Sequence, residues 1–106
     1  MALTRDFRET IRERAQSEPA FRQALLREGL QLIYDGDLAT GRSILRNYIN
    51  ATVGFTELSK MTQISSPSLQ RMFGPNGNPT VENLFGVIGH LQRHERVSVE
   101  LQMHTY

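Results

Sequence analysis

The feature of this sequence that most limits the fold is the segment 74–79, which consists of Gly-Pro-Asn-Gly-Asn-Pro. Proline has no backbone N–H and fixes φ, while glycine and asparagine favour turns, so neither a helix nor a strand is expected to continue through it. Apolar residues recur at helical spacing on both sides, with Leu69, Met72 and Phe73 before it and residues 81–91 after it. The segment therefore predicts a loop between a short helix and a longer helix that Thr80 caps.

The same helical spacing predicts further helices in the first half of the chain. Ser17 and Pro19 are typical of a helix start, and Ser17 is the predicted N-cap. Gly36 is predicted to end that helix. The predicted fold class is mainly α with a short C-terminal β-strand, and the helices number about six: 4–16, 19–34, 38–51, about two turns from residue 55, 67–73, and one that follows residue 80.

The apolar period changes from helical to alternating after the last predicted helix. Val97, Val99, Leu101 and Met103 alternate with polar residues, which is typical of a half-buried β-strand. A lone strand cannot satisfy its own backbone groups, so we expect it to pair with the same segment of a second copy. Val97, Val99 and Leu101 are then the predicted homodimer contacts. The alternative is a tail packed on the last helix.

Composition excludes several classes of protein. A chain of 106 residues has room for one modest core, which excludes a multidomain enzyme. It contains no cysteine, which excludes a disulfide scaffold and a cysteine-based zinc site and favours a cytoplasmic protein. It has no apolar run that could span a bilayer and no apolar segment of the signal-peptide type, so we expect no membrane partner. The formal net charge of +1 does not by itself indicate a nucleic-acid partner.

No arrangement of residues in the sequence indicates catalysis. His90 and His94 have a spacing that can supply two metal ligands, but no HExxH pattern and no cysteine accompany them. Nothing places a serine, a histidine and an acid together as a triad. We therefore expect no enzymatic activity, no metal and no cofactor.

Two short predicted helices, the second starting at Ser65-Ser66-Pro67, have the arrangement of a helix-turn-helix, whose second helix lies in the DNA major groove. Arg71 is the best candidate to read a base, because a guanidinium can contact O6 and N7 of guanine together. Gln70 can reach adenine or a phosphate. The alternative is a plain helical hairpin with a solvated polar face. The candidate DNA-binding residues are Thr56, Ser65, Ser66, Pro67, Ser68, Gln70, Arg71, Asn76 and Asn78.

Three elements carry a resemblance to a known family. They are the Leu-Ser-x-x-Thr run at 58–62, the Ser-x-x-Ser-Leu-x-Arg-Met-Phe run at 65–73, and the Gly-Asn-Pro-Thr run at 77–80 with the apolar helix and alternating segment behind it. Together they make residues 54–101 resemble the lambda-repressor-like (Xre-type) helix-turn-helix proteins, and among these the HigA-like antitoxins of addiction modules. The family usually has glycine where this chain has Gln63, and glutamine is tolerated there only if the backbone is not strongly left-handed.

The resemblance implies dimers that bind an operator near their own gene and repress it, and in many members a second role in masking a small RelE-like ribonuclease toxin. It divides the chain into an N-terminal helical extension packed on the same core (1–53), a DNA-binding region (54–93) and a dimerisation strand (94–106). We therefore expect a sequence-specific DNA-binding transcriptional repressor, with double-stranded DNA and a second copy as partners.

An antitoxin role adds a toxin-binding surface, for which the N-terminal helices are the candidate. Their arginines are Arg5, Arg8, Arg12, Arg22 and Arg27. Acidic residues within one turn balance these charges, so a solvated face is the alternative. The competing function is a helical interaction module that binds a partner, such as a RelE-like toxin, without binding DNA.

Overall fold

The chain is mainly helical, as the sequence predicted. The computed structural model describes residues 5–106, and within them the helices are α1 (Arg5–Ser17), α2 (Pro19–Tyr34), α3 (Leu38–Ala51), α4 (Phe55–Thr62), α5 (Ser66–Met72) and α6 (Val81–Glu95). The prediction of about six helices is confirmed, and α5 begins and ends one residue earlier than expected. Thr4, the predicted first residue of α1, lies outside the described residues. None of the described helices is both long and apolar enough to span a membrane.

Side-chain caps fix where three of the helices begin. Asp37, Ser65 and Thr80 each accept a hydrogen bond from the backbone N–H three residues later. Each bond satisfies a group that the first turn of a helix leaves without an internal partner. The prediction that Ser17 caps α2 is wrong, because α1 extends through Ser17 and its hydroxyl donates to a carbonyl one turn earlier. Glu18 precedes α2 and provides no side-chain cap.

The five helices from α2 through α6 share one apolar core. Its buried members are Leu26, Leu30, Ile33, Leu45, Tyr48, Ile49, Phe55, Leu58, Leu69, Phe73, Leu84, Val87, Ile88 and Leu91. Each large side chain in such a core contributes about 1.5–3 kcal/mol relative to an exposed position. α1 is attached less firmly, since Ala15 is buried and Ile11 half-buried while Phe7 is 53% exposed. α4 and α5 therefore pack on a shared core, to which the described part of α1 contributes no residue; α1 packs mainly against α2 and α3.

Two glycines allow α2 and α3 to pack closely. A Cβ atom at Gly29 would lie 2.8 Å from Cδ2 of Leu45, and one at Gly41 would lie 2.7 Å from Cγ1 of Ile33. Such distances are well below ordinary van der Waals contact, so only glycine fits at either position without moving a core side chain. The close approach fixes α3 against α2 and thereby sets the position of the exposed face of α3.

A buried carboxylate ties the end of α6 to the N-terminal helices. The Glu95 side chain is 3% exposed, and it accepts hydrogen bonds from the Tyr48 hydroxyl at 2.6 Å and the Arg22 guanidinium at 2.7 Å. Arg22 also donates to the carbonyl of Ala15 in α1 at 3.0 Å. Burial raises the pKa of the Tyr48 hydroxyl well above its ordinary value, and the hydrogen bond to Glu95 raises it further. These bonds join α1, α2, α3 and α6 at one point.

The segment that follows α6 does not form the predicted strand within the single chain. Residues 97–106 have no regular secondary structure, and none of the described residues is part of a β-ladder. The physical reason is that a strand needs a partner for its backbone groups, and here only two N–H bonds hold the segment, from Val97 to the Gln92 carbonyl and from Val99 to the Gln92 side chain. Val97 packs against the core, whereas Leu101 is 71% exposed. Of the three predicted dimer contacts, Val99 and Leu101 are therefore exposed to a partner, whereas Val97 is not.

Candidate nucleic-acid interface

α4 and α5 are joined by a three-residue turn, 63–65, whose backbone is left-handed at Gln63 (φ 62°, ψ 21°). The sequence allowed a glutamine here only if the backbone were not strongly left-handed, and the structure shows that it is left-handed. The turn ends α4 in a common way, with the N–H of Gln63 donating to the carbonyl of Ser59 at 3.0 Å. The Gln63 amide donates to the Lys60 carbonyl at 3.1 Å, and the Ser59 hydroxyl to the Ile64 carbonyl at 2.6 Å. These bonds offset a left-handed backbone that costs a non-glycine residue about 1–2 kcal/mol.

The polar residues of α5 are linked by hydrogen bonds among their own side chains. The hydroxyl of Ser68 accepts from Ser65 at 2.8 Å and from the Arg71 guanidinium at 3.1 Å. The Gln70 amide donates to the Ser66 hydroxyl at 3.2 Å. Ser66 and Ser68 are half-buried, whereas Gln70 and Arg71 are exposed. The two serines therefore orient the two long side chains, which are the parts of α5 that reach furthest into solvent.

The loop after α5 is seated directly on the last turn of that helix. A Cβ atom at Gly77 would lie 2.4 Å from the carbonyl oxygens of both Arg71 and Met72, closer than any real side chain comes to a backbone atom. The N–H of Gly77 donates to the Gly74 carbonyl at 3.1 Å, which closes the turn. The loop residues on either side of Gly77, Asn76 and Asn78, are exposed. Glycine at this position therefore fixes the two asparagines beside α5.

α3, α5, the loop and the first turn of α6 enclose an open groove of about 770 Å³. Arg46 from α3 and Arg71 from α5 supply its two positive charges, and side-chain amides and hydroxyls supply most of its other polar groups. Among residues 5–106, no carboxylate lines this groove. Its residues are Arg46, Pro67, Ser68, Gln70, Arg71, Met72, Gly74, Pro75, Asn76, Gly77, Asn78, Pro79, Thr80 and Asn83. Such a surface attracts anions and offers hydrogen-bond donors to them.

The structure brings most of the candidate DNA-binding residues together at this groove. Those that line it are Pro67, Ser68, Gln70, Arg71, Asn76 and Asn78. Ser65 and Ser66 adjoin it through their bonds to Ser68 and Gln70. Thr56 is exposed in the first turn of α4 and does not line the groove.

Sequence reasoning missed Arg46 and Asn83 as members of the groove. The polar face of α3 was visible in the sequence, because Arg46 and Asn47 follow the apolar pair at 44–45. Nothing in that pattern showed that this face borders the same groove as α5, because α3 ends at Ala51 and α5 begins only at Ser66. Asn83 lies in the first turn of α6, directly after the loop. The sequence indicated that Asn83 is polar and exposed, but not that it borders the groove.

Comparisons with known proteins give no match: neither a protein-family model, nor a curated protein, nor a solved structure matches this chain.

Proposed function

We propose that this chain is a sequence-specific DNA-binding transcriptional repressor in which α4 and α5 act as a helix-turn-helix. The groove between α3, α5 and the loop carries the proposal, because it combines Arg46 and Arg71 with amides and contains no lining carboxylate. Arginine and amide side chains donate hydrogen bonds to phosphate oxygens and to base edges, whereas a carboxylate would repel the phosphates. The groove is thus complementary to a nucleic-acid backbone in both charge and hydrogen bonding.

Within this proposal α5 enters the major groove and its two exposed long side chains read bases. Arg71 contacts O6 and N7 of guanine, and Gln70 contacts adenine or a neighbouring phosphate. Arg46, Asn76 and Asn78 lie at the sides of the groove, where they suit phosphate contacts that fix the register of α5. One copy reads few bases, because α5 has seven residues and Arg71 is its only charged side chain.

A second copy would double these contacts, and the C-terminal segment is the proposed dimer contact. Val99, Leu101 and Met103 are exposed at alternating positions, and the exposed rings of Tyr34 and Phe85 meet edge to face with centroids 6.2 Å apart. Tyr34 also lines a surface groove together with residues 97–102. Pairing of two such segments would satisfy their backbone groups and cover apolar area. Dimers of this kind bind two half-sites about one helical turn of DNA apart.

Fluorescence anisotropy tests DNA binding directly. The purified protein is titrated into duplex DNA from upstream of its own gene and into a scrambled duplex, at several salt concentrations. We expect tighter binding to the upstream duplex and an affinity that falls steeply with salt, because phosphate contacts release counterions. Arg71→Ala is expected to cost about 1–3 kcal/mol on the upstream duplex and to reduce discrimination. Equally weak binding to both duplexes by the wild-type protein contradicts the proposal.

Light scattering tests the proposed dimer contact. Removal of residues 98–106 keeps Val97, which packs into the core of its own chain. We expect the mass of the particle to fall from that of two chains to that of one, with an unchanged circular dichroism spectrum. A truncated protein that still has the mass of two chains shows that the dimer contact lies elsewhere.

A helical interaction module without DNA binding is the second candidate function. The exposed Tyr34 and Phe85 pair favours it, since a contiguous apolar patch on a surface is typical of a protein-binding site. Arg71→Ala discriminates between the two functions, because it would leave the affinity for a protein partner unchanged. A RelE-like toxin, encoded beside this chain and bound equally by wild type and Arg71→Ala, would support the second function.

A further inference from the structure

α3 borders a second groove, distinct from the one that it shares with α5. Asn47, Asn50 and Ala51 line it from α3, and Arg8 and Arg12 line it from α1. Glu9 and Ile11 complete this smaller groove of about 290 Å³. The guanidinium groups of Arg8 and Arg12 belong to exposed residues one helical turn apart, so both are open to a ligand on this side of the molecule.

The two grooves are neighbours along one exposed ridge of α3. Successive residues of an α-helix are about 100° apart around its axis, which places Asn50 about 40° and Asn47 about 100° from Arg46. Arg46 faces the groove of α5, whereas Asn47 and Asn50 face the groove of α1. A single elongated ligand that crosses the ridge would therefore contact α1, α3 and α5 together.

Positive charge is concentrated on this combined surface. Its lining residues include four arginines, Arg8, Arg12, Arg46 and Arg71, against one acid, Glu9, which gives a formal charge of +3. Because the whole chain has a net charge of +1, all other residues together carry −2. The modest net charge of the chain thus hides a strongly polarised distribution.

Other arginines of the N-terminal helices form ion pairs with carboxylates of the same chain. Arg14 pairs with Glu18 at 3.0 Å, and Arg22 pairs with the buried Glu95 at 2.7 Å. Of Arg8, Arg12, Arg22 and Arg27, whose side chains the structure describes, Arg8 and Arg12 are the ones that share a groove with the amides of α3. Arg14 and Arg22 are thus paired with carboxylates of the chain, whereas Arg8 and Arg12 line an open groove.

We infer that the N-terminal helices extend the DNA interface, with Arg8, Arg12, Asn47 and Asn50 binding the phosphate backbone beside the base pairs that α5 contacts. The inference rests on the proposed function of α5. Two guanidinium groups and two amides along a polar groove match a row of phosphates and read no sequence. An interface for a folded protein would need a buried apolar centre, and among the described residues only Ile11 and Ala51 line the groove with apolar side chains.

The double variant Arg8→Gln/Arg12→Gln tests this extension. We expect it to weaken binding to the upstream duplex and to the scrambled duplex by the same factor, since phosphate contacts carry no sequence information. The slope of log affinity against log salt should become shallower by about 2, because two phosphate contacts are lost. The ratio of the affinities at 50 and 200 mM salt should then fall by about tenfold.

The matched control is Arg93→Gln/Arg96→Gln, which removes the same two charges from exposed positions outside both grooves and outside the groove that Tyr34 shares with residues 97–102. It is expected to keep the wild-type salt slope. Circular dichroism and light scattering on all variants exclude a change of fold or of oligomeric state.

Two outcomes separate failure of the extension from failure of the proposed function. If Arg8→Gln/Arg12→Gln keeps the wild-type slope while Arg71→Ala still loses discrimination, the extension is wrong and DNA binding by α5 stands. If the wild-type protein binds neither duplex, both proposals are wrong. A shallower slope in the control as well as in the double variant also overturns the extension, because the effect would then reflect net charge alone.

Discussion

Among the described residues, two segments follow a non-glycine residue in the left-handed conformation, and only one of these segments forms regular secondary structure. Gln63 (φ 62°) precedes α5, and Arg96 (φ 60°) precedes the segment 97–106. After Gln63, the Ser65 hydroxyl caps α5. Leu69 within this helix and Phe73 directly after it are both buried. Behind Arg96 only Val97 packs on the core and no regular structure forms.

The difference shows that a left-handed residue at the end of a helix does not determine whether the next segment forms regular secondary structure. A helix satisfies its backbone N–H and C=O groups within itself, so the seven residues of α5 need only a cap and a surface on which to bury one face. An alternating segment needs hydrogen bonds from another strand before its apolar side chains can be buried. Each of the following predictions tests one side of this comparison.

The largest expected effect is the difference in stability between a leucine removed from α5 and a leucine removed from the C-terminal segment. Leu69→Ala removes a side chain that is 0% exposed and should lower the free energy of unfolding by about 2–5 kcal/mol. Leu101→Ala makes the same chemical change at a residue that is 71% exposed and should change it by less than about 0.5 kcal/mol. Urea unfolding at a concentration where the protein is monomeric measures both. Similar losses for the two variants would mean that the segment is buried in the single chain.

A second prediction concerns the loop that holds the groove beside α5. Gly77→Ala would place a Cβ atom 2.4 Å from two carbonyl oxygens of α5, and the forced shift should cost about 1–3 kcal/mol. Gly86→Ala is the control, because a Cβ atom there meets no atom within 4 Å and alanine suits a helix interior, which should stabilise α6 by about 0.5–1 kcal/mol. Thermal unfolding distinguishes the two directions, and a neutral Gly77→Ala would contradict the tight seating of the loop.

A third prediction concerns the end of α6, from which the C-terminal segment departs. The pKa of Tyr48 is raised in the folded state, so its stabilising contribution is complete below the unfolded pKa of about 10 and is lost as pH rises from there towards the folded pKa. Between these values the wild-type protein should lose about 1.4 kcal/mol more stability per pH unit than Tyr48→Phe.

Urea unfolding at pH 8 and pH 11 tests this dependence on Tyr48. The stability difference between wild type and Tyr48→Phe should shrink as pH rises. Tyr34→Phe serves as the control, because Tyr34 is exposed, and it should follow the wild-type curve in parallel. A constant difference between wild type and Tyr48→Phe would show that the buried hydroxyl does not resist ionisation.

The smallest expected effect lies in the turn before α5. Gln63→Gly should raise the free energy of unfolding by about 0.5–1 kcal/mol, because glycine adopts the left-handed conformation without steric cost. Gln23→Gly makes the same exchange at an exposed position within α2 and should lower stability by a similar amount. Chemical denaturation compares the two, and a loss of stability in Gln63→Gly would show that the bond from its side chain to Lys60 outweighs the backbone strain.

Much of the fold was predictable because its signals are local. The helical period, the prolines at 19 and 67, the glycine at 36 and the loop at 74–79 fix where the helices run to within a residue or two. The failures are local too. Ser17 has the chemistry of a cap, but α1 continues through it, and a glutamine occupies a left-handed turn whose strain hydrogen bonds to the helix backbone offset.

The candidate site was predictable only in part. The exposed side chains of α5 and the two loop asparagines follow from periodicity and turn chemistry, and they do line one groove. Arg46 could not be assigned to that groove, because its place depends on where the tertiary fold sets α3 relative to α5. The hydrogen bonds from Gln70 to Ser66 and from Arg71 to Ser68 were not predicted, and the DNA contacts expected of these serines stay a prediction.

The sequence by itself determined the number and limits of the helices, because hydrogen bonds within a helix and its caps involve residues a few positions apart. Only the tertiary structure decided which polar faces meet. Close packing at Gly29 and Gly41 sets α3 on α2, and the buried Glu95 fastens α1, α2 and α3 to α6. Those contacts join residues far apart in the chain, and through them arginines of α1, α3 and α5 come to line two grooves that α3 borders.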